Sequence, residues 1–190
     1  MSPINRIIDG CKAGKQKEFR KLYNLYASPM LSVCYRYSRN MADAEDILQE
    51  GFIKVFRKIK EFKGSGSFEG WLRRIMVNTA INHYKANLKH SFHHEYNDEM
   101  HDKAGEMNLS EKVFIEKEVS QEQILSLVQD LPDGYRMVFN MYVLDGLNHK
   151  EIAQDLGISE NTSKTQLFKA RRTLKQIIGD KYGERIQNII

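Results

Sequence analysis

Residues 147–174 read LNHKEIAQDLGISENTSKTQLFKARRTL, and this stretch decides the fold of the C-terminal half. Asn148 and Glu151 stand at capping-box spacing ahead of the helical text EIAQDL. Gly157 follows where a left-handed backbone angle ends a helix most easily, and Ser159 can cap the next one. Ala153, four residues before the glycine, offers a small side chain where two helices can cross closely. This is the layout of a helix-turn-helix, whose second helix enters the DNA major groove. From Thr162 to Ile178 that second helix carries five basic residues and no acidic one. At about 100° per residue, Ser163, Leu167, Ala170, Leu174 and Ile177 share the inward face. The opposite face displays Asn161, Thr165, Phe168, Lys169, Arg172 and Lys175, with Lys164 at its edge. Cations there can bind phosphates, while Asn161, Lys164 and Thr165 can reach base edges near the helix start. A solvated basic helix without a partner is the plainer reading, but charged surface helices usually mix signs.

Upstream, SQEQILSLVQD reads as a helix that leads to Leu131-Pro132, where proline can open another. That helix, DGYRMVFNMYVLD, is expected to end near Gly146, and two short helices then close the chain. Between Ser91 and Gln123 stand nine acidic and three basic residues with little periodicity, the composition of a linker. Before it, apolar periodicity predicts four helices. Ile4, Ile7, Ile8 and Cys11 mark the first; Phe19, Leu22, Tyr23, Tyr26, Met30, Val33 and Cys34 mark the second. Asn40 can cap the third, with Asp43 where a capping-box carboxylate would sit and an apolar stripe of Leu48, Phe52, Val55, Phe56 and Ile59. KGSGS (63–67) breaks the chain, and Ser67 can cap a fourth helix to about Lys89. The expectation is an all-α chain of two small helical domains, 1–90 and 117–190, joined by an acidic linker at 91–116.

The fourth helix carries a mixed row: Trp71, Arg74, Asn78, Asn82, Lys85 and Lys89. Leu72, Ile75, Met76 and Thr79 flank it on one side, and Val77, Ile81, Tyr84 and Leu88 on the other. Cations hold a nucleic-acid backbone, amides pair with bases, and an aromatic stacks on an unpaired base or wedges into a step. Trp71 alone would read as core; the whole row beside a Gly/Ser loop reads as nucleic-acid contact. The third helix has the reverse polarity. Opposite its apolar stripe lie Asp46, Glu50, Ile53 and Arg57, with Gln49 at the margin. Carboxylates around an outward isoleucine suit a basic protein partner rather than DNA.

Composition excludes several classes. At 190 residues with 41% hydrophobic and 28% charged content, the chain reads as ordinary globular protein. No apolar stretch approaches about 18 residues and the N-terminus is too polar for a signal peptide, so a cytoplasmic chain without membrane insertion is expected. Cys11 and Cys34 form no CxxC pair and fit helical apolar patterns, as reduced core residues do. HSFHHEY (His90, His93, His94, Glu95) lacks HExxH spacing and falls in the linker, so no metal site is expected there. There is no P-loop and no credible Ser or Cys triad, so neither a cofactor nor an enzymatic activity is expected.

Together these residues resemble the extracytoplasmic-function class of bacterial sigma factors, promoter-recognition subunits of RNA polymerase. The similar text is DAEDILQEGFIKVFRKI, FKGSGSFEGWLRRIMVNTAINHYK and the segment from Leu131 to Leu174, in family order. The resemblance implies contacts with core RNA polymerase, through the β′ clamp helices for Asp46, Gln49, Glu50 and Ile53, and with its β subunit. It implies that the loop at Lys63, Gly64 and Ser65, with Phe68, Trp71, Arg74, Asn78, Asn82 and Lys85, engages the −10 element and a flipped base. It implies that Asn161, Lys164, Thr165 and Phe168 read the −35 element, with Lys169 and Arg172 on phosphates. Promoter DNA is therefore the second partner, and the many relatives held by an anti-sigma protein leave room for a third. Ser163 stands where the family usually has valine or another apolar residue, which predicts looser packing of the recognition helix; Gln166 replaces an arginine common there. The rival reading is a stand-alone helix-turn-helix regulator of duplex DNA, which leaves the Trp71 row and the DILQE face without a role.

Overall fold

The computed structural model describes residues 2–91 and 126–182. Contacts divide the chain into two compact units, Met1–His90 and Ser91–Ile190. All regular elements among the described residues are helical. The expected linker at 91–116 and the start of SQEQILSLVQD lie almost wholly outside the described residues, as do His93, His94 and Glu95.

The first unit holds four α-helices: α1 (Pro3–Lys12), α2 (Gln16–Tyr37), α3 (Met41–Lys58) and α4 (Phe68–Ser91). A single 3-10 turn, Ile59–Glu61, follows α3. Asn40 caps α3 as its sequence predicts, its side chain accepting from the Asp43 amide at 2.8 Å. The Asp43 carboxylate takes its bond from the Asn40 side-chain amide at 3.3 Å, where a full capping box would use the backbone N–H. The core gathers Leu22, Met30, Ile47, Val55, Ile59, Leu72 and Met76, all nearly inaccessible. Rings from α2 and α3 interlock above it, Phe19 on Phe56 at 4.8 Å and Tyr23 on Phe52 at 4.7 Å. Helices α3 and α4 cross at Gly51, where an added Cβ would collide with the Met76 sulfur. Leu88, expected on an apolar stripe, is 36% exposed.

Cys11 and Cys34 are free and buried, as their periodicity predicts. Burial, aided by Glu18, pushes the Cys11 thiol up to about 11. Burial pushes Cys34 up to about 12 against its backbone hydrogen bond. Neither thiol is activated.

The second unit holds a helical turn at 126–129, then α5 (Asp133–Phe139), α6 (His149–Leu156) and α7 (Glu160–Tyr182). Pro132 caps α5, but the helix does not run unbroken to Gly146. Asn140–Leu144 forms a π-helical turn in which the Asp145 amide reaches back to the Asn140 carbonyl at 3.0 Å. Six consecutive residues, Arg136 to Met141, are buried here. An ordinary α-helix buries one stripe, so this segment is enclosed on all sides, and the widened turn re-aims the side chains after it. Arg136, only 4% exposed, is held from both directions. It donates to the Leu131 and Gln129 carbonyls at 3.0 and 3.3 Å and pairs with Asp133 at 2.6 Å.

The turn between α6 and α7 follows its sequence closely. Asn148 and Glu151 form a complete capping box, with bonds of 3.0 and 2.8 Å. Gly157 ends α6 in the left-handed region at φ 73°. Ser159 accepts from the Thr162 amide at 2.9 Å to open α7. The last helix is not short: 23 residues separate Glu160 from Tyr182 inclusive. Its buried stripe is Ser163, Leu167, Ala170, Leu174 and Ile178. Ile178 thus replaces the expected Ile177, which is half-buried, because a long straight helix drifts relative to the spacing chosen from its first turns.

Candidate nucleic-acid interface

Three surfaces carry the residues that the sequence singles out. On α3, Asp46, Gln49 and Glu50 are exposed, and Ile53 beside them is 50% exposed. An isoleucine so open on a folded helix is an apolar contact without a described partner, with Asp46 and Glu50 on one side of it and Arg57 on the other. Glu50 is held by Lys54 at 2.7 Å, and the same ammonium donates to Thr79 Oγ1 of α4 at 3.3 Å. Thr79 in turn donates to the Ile75 carbonyl at 2.8 Å. Lys54 therefore ties the acidic face to the neighbouring helix. Sequence periodicity placed Thr79 among apolar residues and gave no sign of this link.

The second surface is the Gly/Ser loop with α4. Lys63, Gly64 and Ser65 are exposed, and Gly64 and Gly66 take φ of 77° and 92°, angles that side chains resist. The loop is anchored at both ends. Lys12 of α1 donates to the Phe62 carbonyl at 2.7 Å with its ammonium 5.7 Å from that ring's centre. Ser67 accepts from the Gly70 amide at 3.3 Å, capping α4. Trp71 is neither core nor free: its ring packs on Phe62 at 5.4 Å and Phe68 at 5.6 Å and stays half-buried. Arg74, Asn78 and Asn82 lie exposed behind it, and Lys85 is half-buried. The structure thus brings this row to one side of α4; the Lys89 side chain lies outside the described residues.

Phe68 differs from its neighbours in the candidate set. It is 7% exposed and sits among Tyr26, Phe62 and Trp71. Its ring packs against Trp71 and Phe62 beside the loop, where little of it is open to a ligand. Lys12 carries no local signal of this anchor in the sequence, since its partner lies fifty residues away in the chain.

The third surface is α7. Asn161, Lys164 and Arg172 are exposed, Thr165 and Lys169 are half-buried, and Phe168 stands 42% exposed among them. A half-open phenyl ring beside cations matches apolar contact with a thymine methyl as well as backbone binding. Beneath this face the expectation of loose packing at Ser163 fails. Ser163 is 0% exposed, and its hydroxyl shares a 2.9 Å hydrogen bond with His149 Nδ1 of α6. The ring of His149 stacks on Tyr142 at 4.6 Å and 24°. Burial, then the nearby Lys164 and Arg171, holds this imidazole below the ordinary histidine range. No group of acidic, histidine or cysteine side chains among the described residues could hold a metal, and no described helix is long and apolar enough to cross a membrane.

Two family models match this arrangement, Sigma-70 region 2 over residues 22–89 and Sigma-70 region 4 over residues 121–174, together more than half of the chain. The chain belongs to the sigma-70 family. Within that family it falls in the extracytoplasmic-function class. It is 29% identical over 174 residues to the ECF RNA polymerase sigma-E factor of Escherichia coli (strain K12), covering 88% of this chain and 90% of that one. The protein of the same name from Haemophilus influenzae is 26% identical over 179 residues, covering 90% and 93%. Among solved structures, CnrH in complex with the cytosolic domain of CnrY is 18% identical, covers 92% of this chain and 96% of that one, and superposes with a TM-score of 0.47. The sigma factor RpoE in complex with the anti-sigma factor NepR from Bartonella quintana is 17% identical, covers 87% and 99%, and gives 0.46. Region 2 of this sigma factor carries the acidic face and the Trp71 row, and region 4 carries the basic helix.

Proposed function

We propose that this sigma factor binds core RNA polymerase and directs it to promoters, with α3 as the polymerase surface, α4 and its loop at the −10 element, and α7 at the −35 element. The single observation that carries the assignment of surfaces is their opposite chemistry on one fold. Asp46, Glu50 and an open Ile53 lie on α3, while a tryptophan, amides and cations lie on α4. Polymerase binding through α3 leaves the basic rows for DNA. Each DNA contact is weak and salt-sensitive alone. Holding both rows on one polymerase raises their effective concentration and selects promoters that carry both elements. Unstacking bases at the −10 element costs a few kcal/mol per step, and captured bases stacked near Trp71 offset it. The chain performs no bond-making step in this reading.

The test is Glu50→Arg in the full chain. Reversing this charge should weaken core polymerase binding by about tenfold or more, as lost charge complementarity does at close range. Duplex binding by the free chain should not change, since Glu50 lies on α3 and the basic face on α7. Unchanged polymerase affinity would remove α3 from the interface.

A further inference from the structure

Three elements of the helix-turn-helix unit meet at the side chain of His149. It is the first residue of α6, and its ring stacks on Tyr142 of the π turn. Its Nδ1 reaches across to the fully buried Ser163 hydroxyl of α7 at 2.9 Å. Apolar contacts between helices tolerate small rotations, whereas a buried hydrogen bond holds only over a narrow range of distance and angle. Ser163 lies within two residues of Asn161, Lys164 and Thr165. Any rotation of α7 that breaks this bond moves all three.

We propose that the His149–Ser163 hydrogen bond, backed by the Tyr142 ring, is a positioning contact that sets the angle of α7 and thereby its discrimination among −35 sequences. The proposal rests on the reading of α7 as the −35 helix. The contact favours a neutral imidazole. Lys164 and Arg171 of α7 repel a charged ring, Glu160 of α7 opposes them weakly, and Tyr142 offers an uncharged face. The positive end of α6, where His149 sits, adds to the repulsion. A histidine held below its ordinary value of about 6.5 contributes stability above that pH. The contribution is lost as pH falls toward the lowered folded value, because the unfolded chain takes up the proton first.

Ser163→Thr and Ser163→Val are nearly the same shape and differ in the hydroxyl. Each full-length version, with core polymerase, is assayed for initiation at a promoter mapped for this chain and at copies with single −35 changes. The threonine version should keep the wild-type ratio between cognate and changed promoters. The valine version should lose about fivefold to tenfold of it, the scale of one neutral hydrogen bond. In thermal unfolding, wild type should lose stability below about pH 6.5, and His149→Phe, which keeps the stack, should lose less over the same range. Equal ratios for threonine and valine would overturn the proposal, whatever their melting temperatures. No initiation by any version, wild type included, would instead overturn the sigma-factor reading and this contact with it.

Discussion

Helices α4 and α7 carry the two basic rows, yet the protein braces them by different means. Behind the Trp71 end of α4 stand mainly rings, Phe62 and Phe68 against Trp71 with Tyr26 on Phe68 at centroid separations of 5.2 to 5.6 Å, beside the Ser67 cap and the Lys54–Thr79 hydrogen bond. Behind α7 stand directional polar contacts: its Ser159 cap, the Ser163–His149 hydrogen bond to α6, itself held by a capping box, and Arg136 on α5. Ring packing is non-directional, so side chains can shift while staying in contact. That suits the role proposed for the loop, accommodating unpaired bases. Polar contacts fix angle, and reading base edges in an intact groove depends on angle. In the proposed function, the same charge and the same helical scaffold would thus serve two tasks through largely different supports.

The largest effect should come from the polar side of this contrast. Arg136→Met removes the guanidinium's bonds to Asp133 and to two carbonyls and should cost about 3 kcal/mol in the second unit. Two-probe unfolding of the full chain should show the second unit melting earlier and the Trp71 fluorescence transition in place. A shift of both transitions together would break the picture of two separately braced units. Trp71→Ala comes next. It should lower binding to a forked −10 fragment with an unpaired base, in the presence of core polymerase, by about tenfold, since one base–aromatic stack is worth 1–3 kcal/mol. Trp71→Phe should recover part of that, and equal losses for the two would assign Trp71 to packing alone. The smallest effect is expected for Lys169→Ala, which should weaken binding to all −35 sequences alike and reduce the salt slope by about one.

The elements that could be read from the sequence are those specified by neighbours in the chain. Asn40, Ser67, Asn148 with Glu151, Gly157 and Ser159 act within four residues of themselves, and each does what its spacing predicts. The exposed rows on α3, α4 and α7 follow from period alone. What escaped is set by contacts between elements. The π turn at Asn140–Leu144 follows a segment buried from Arg136 to Met141, and a run of mixed apolar residues does not distinguish that from one buried stripe. Ser163 looked like a packing defect because its partner is fourteen residues away. Phe68 looked like a contact because it adjoins the loop, whereas tertiary packing places it under Trp71.

Promoter-directed initiation reconstituted from purified parts tests the central claim most directly. Core polymerase is supplied with this chain on fragments that carry both promoter elements, either one, or neither. Strong initiation only with the chain present and only where both elements stand at their mapped spacing is the predicted result. Initiation that is indifferent to the chain, or tight duplex binding by the free chain with no response to polymerase, would contradict it.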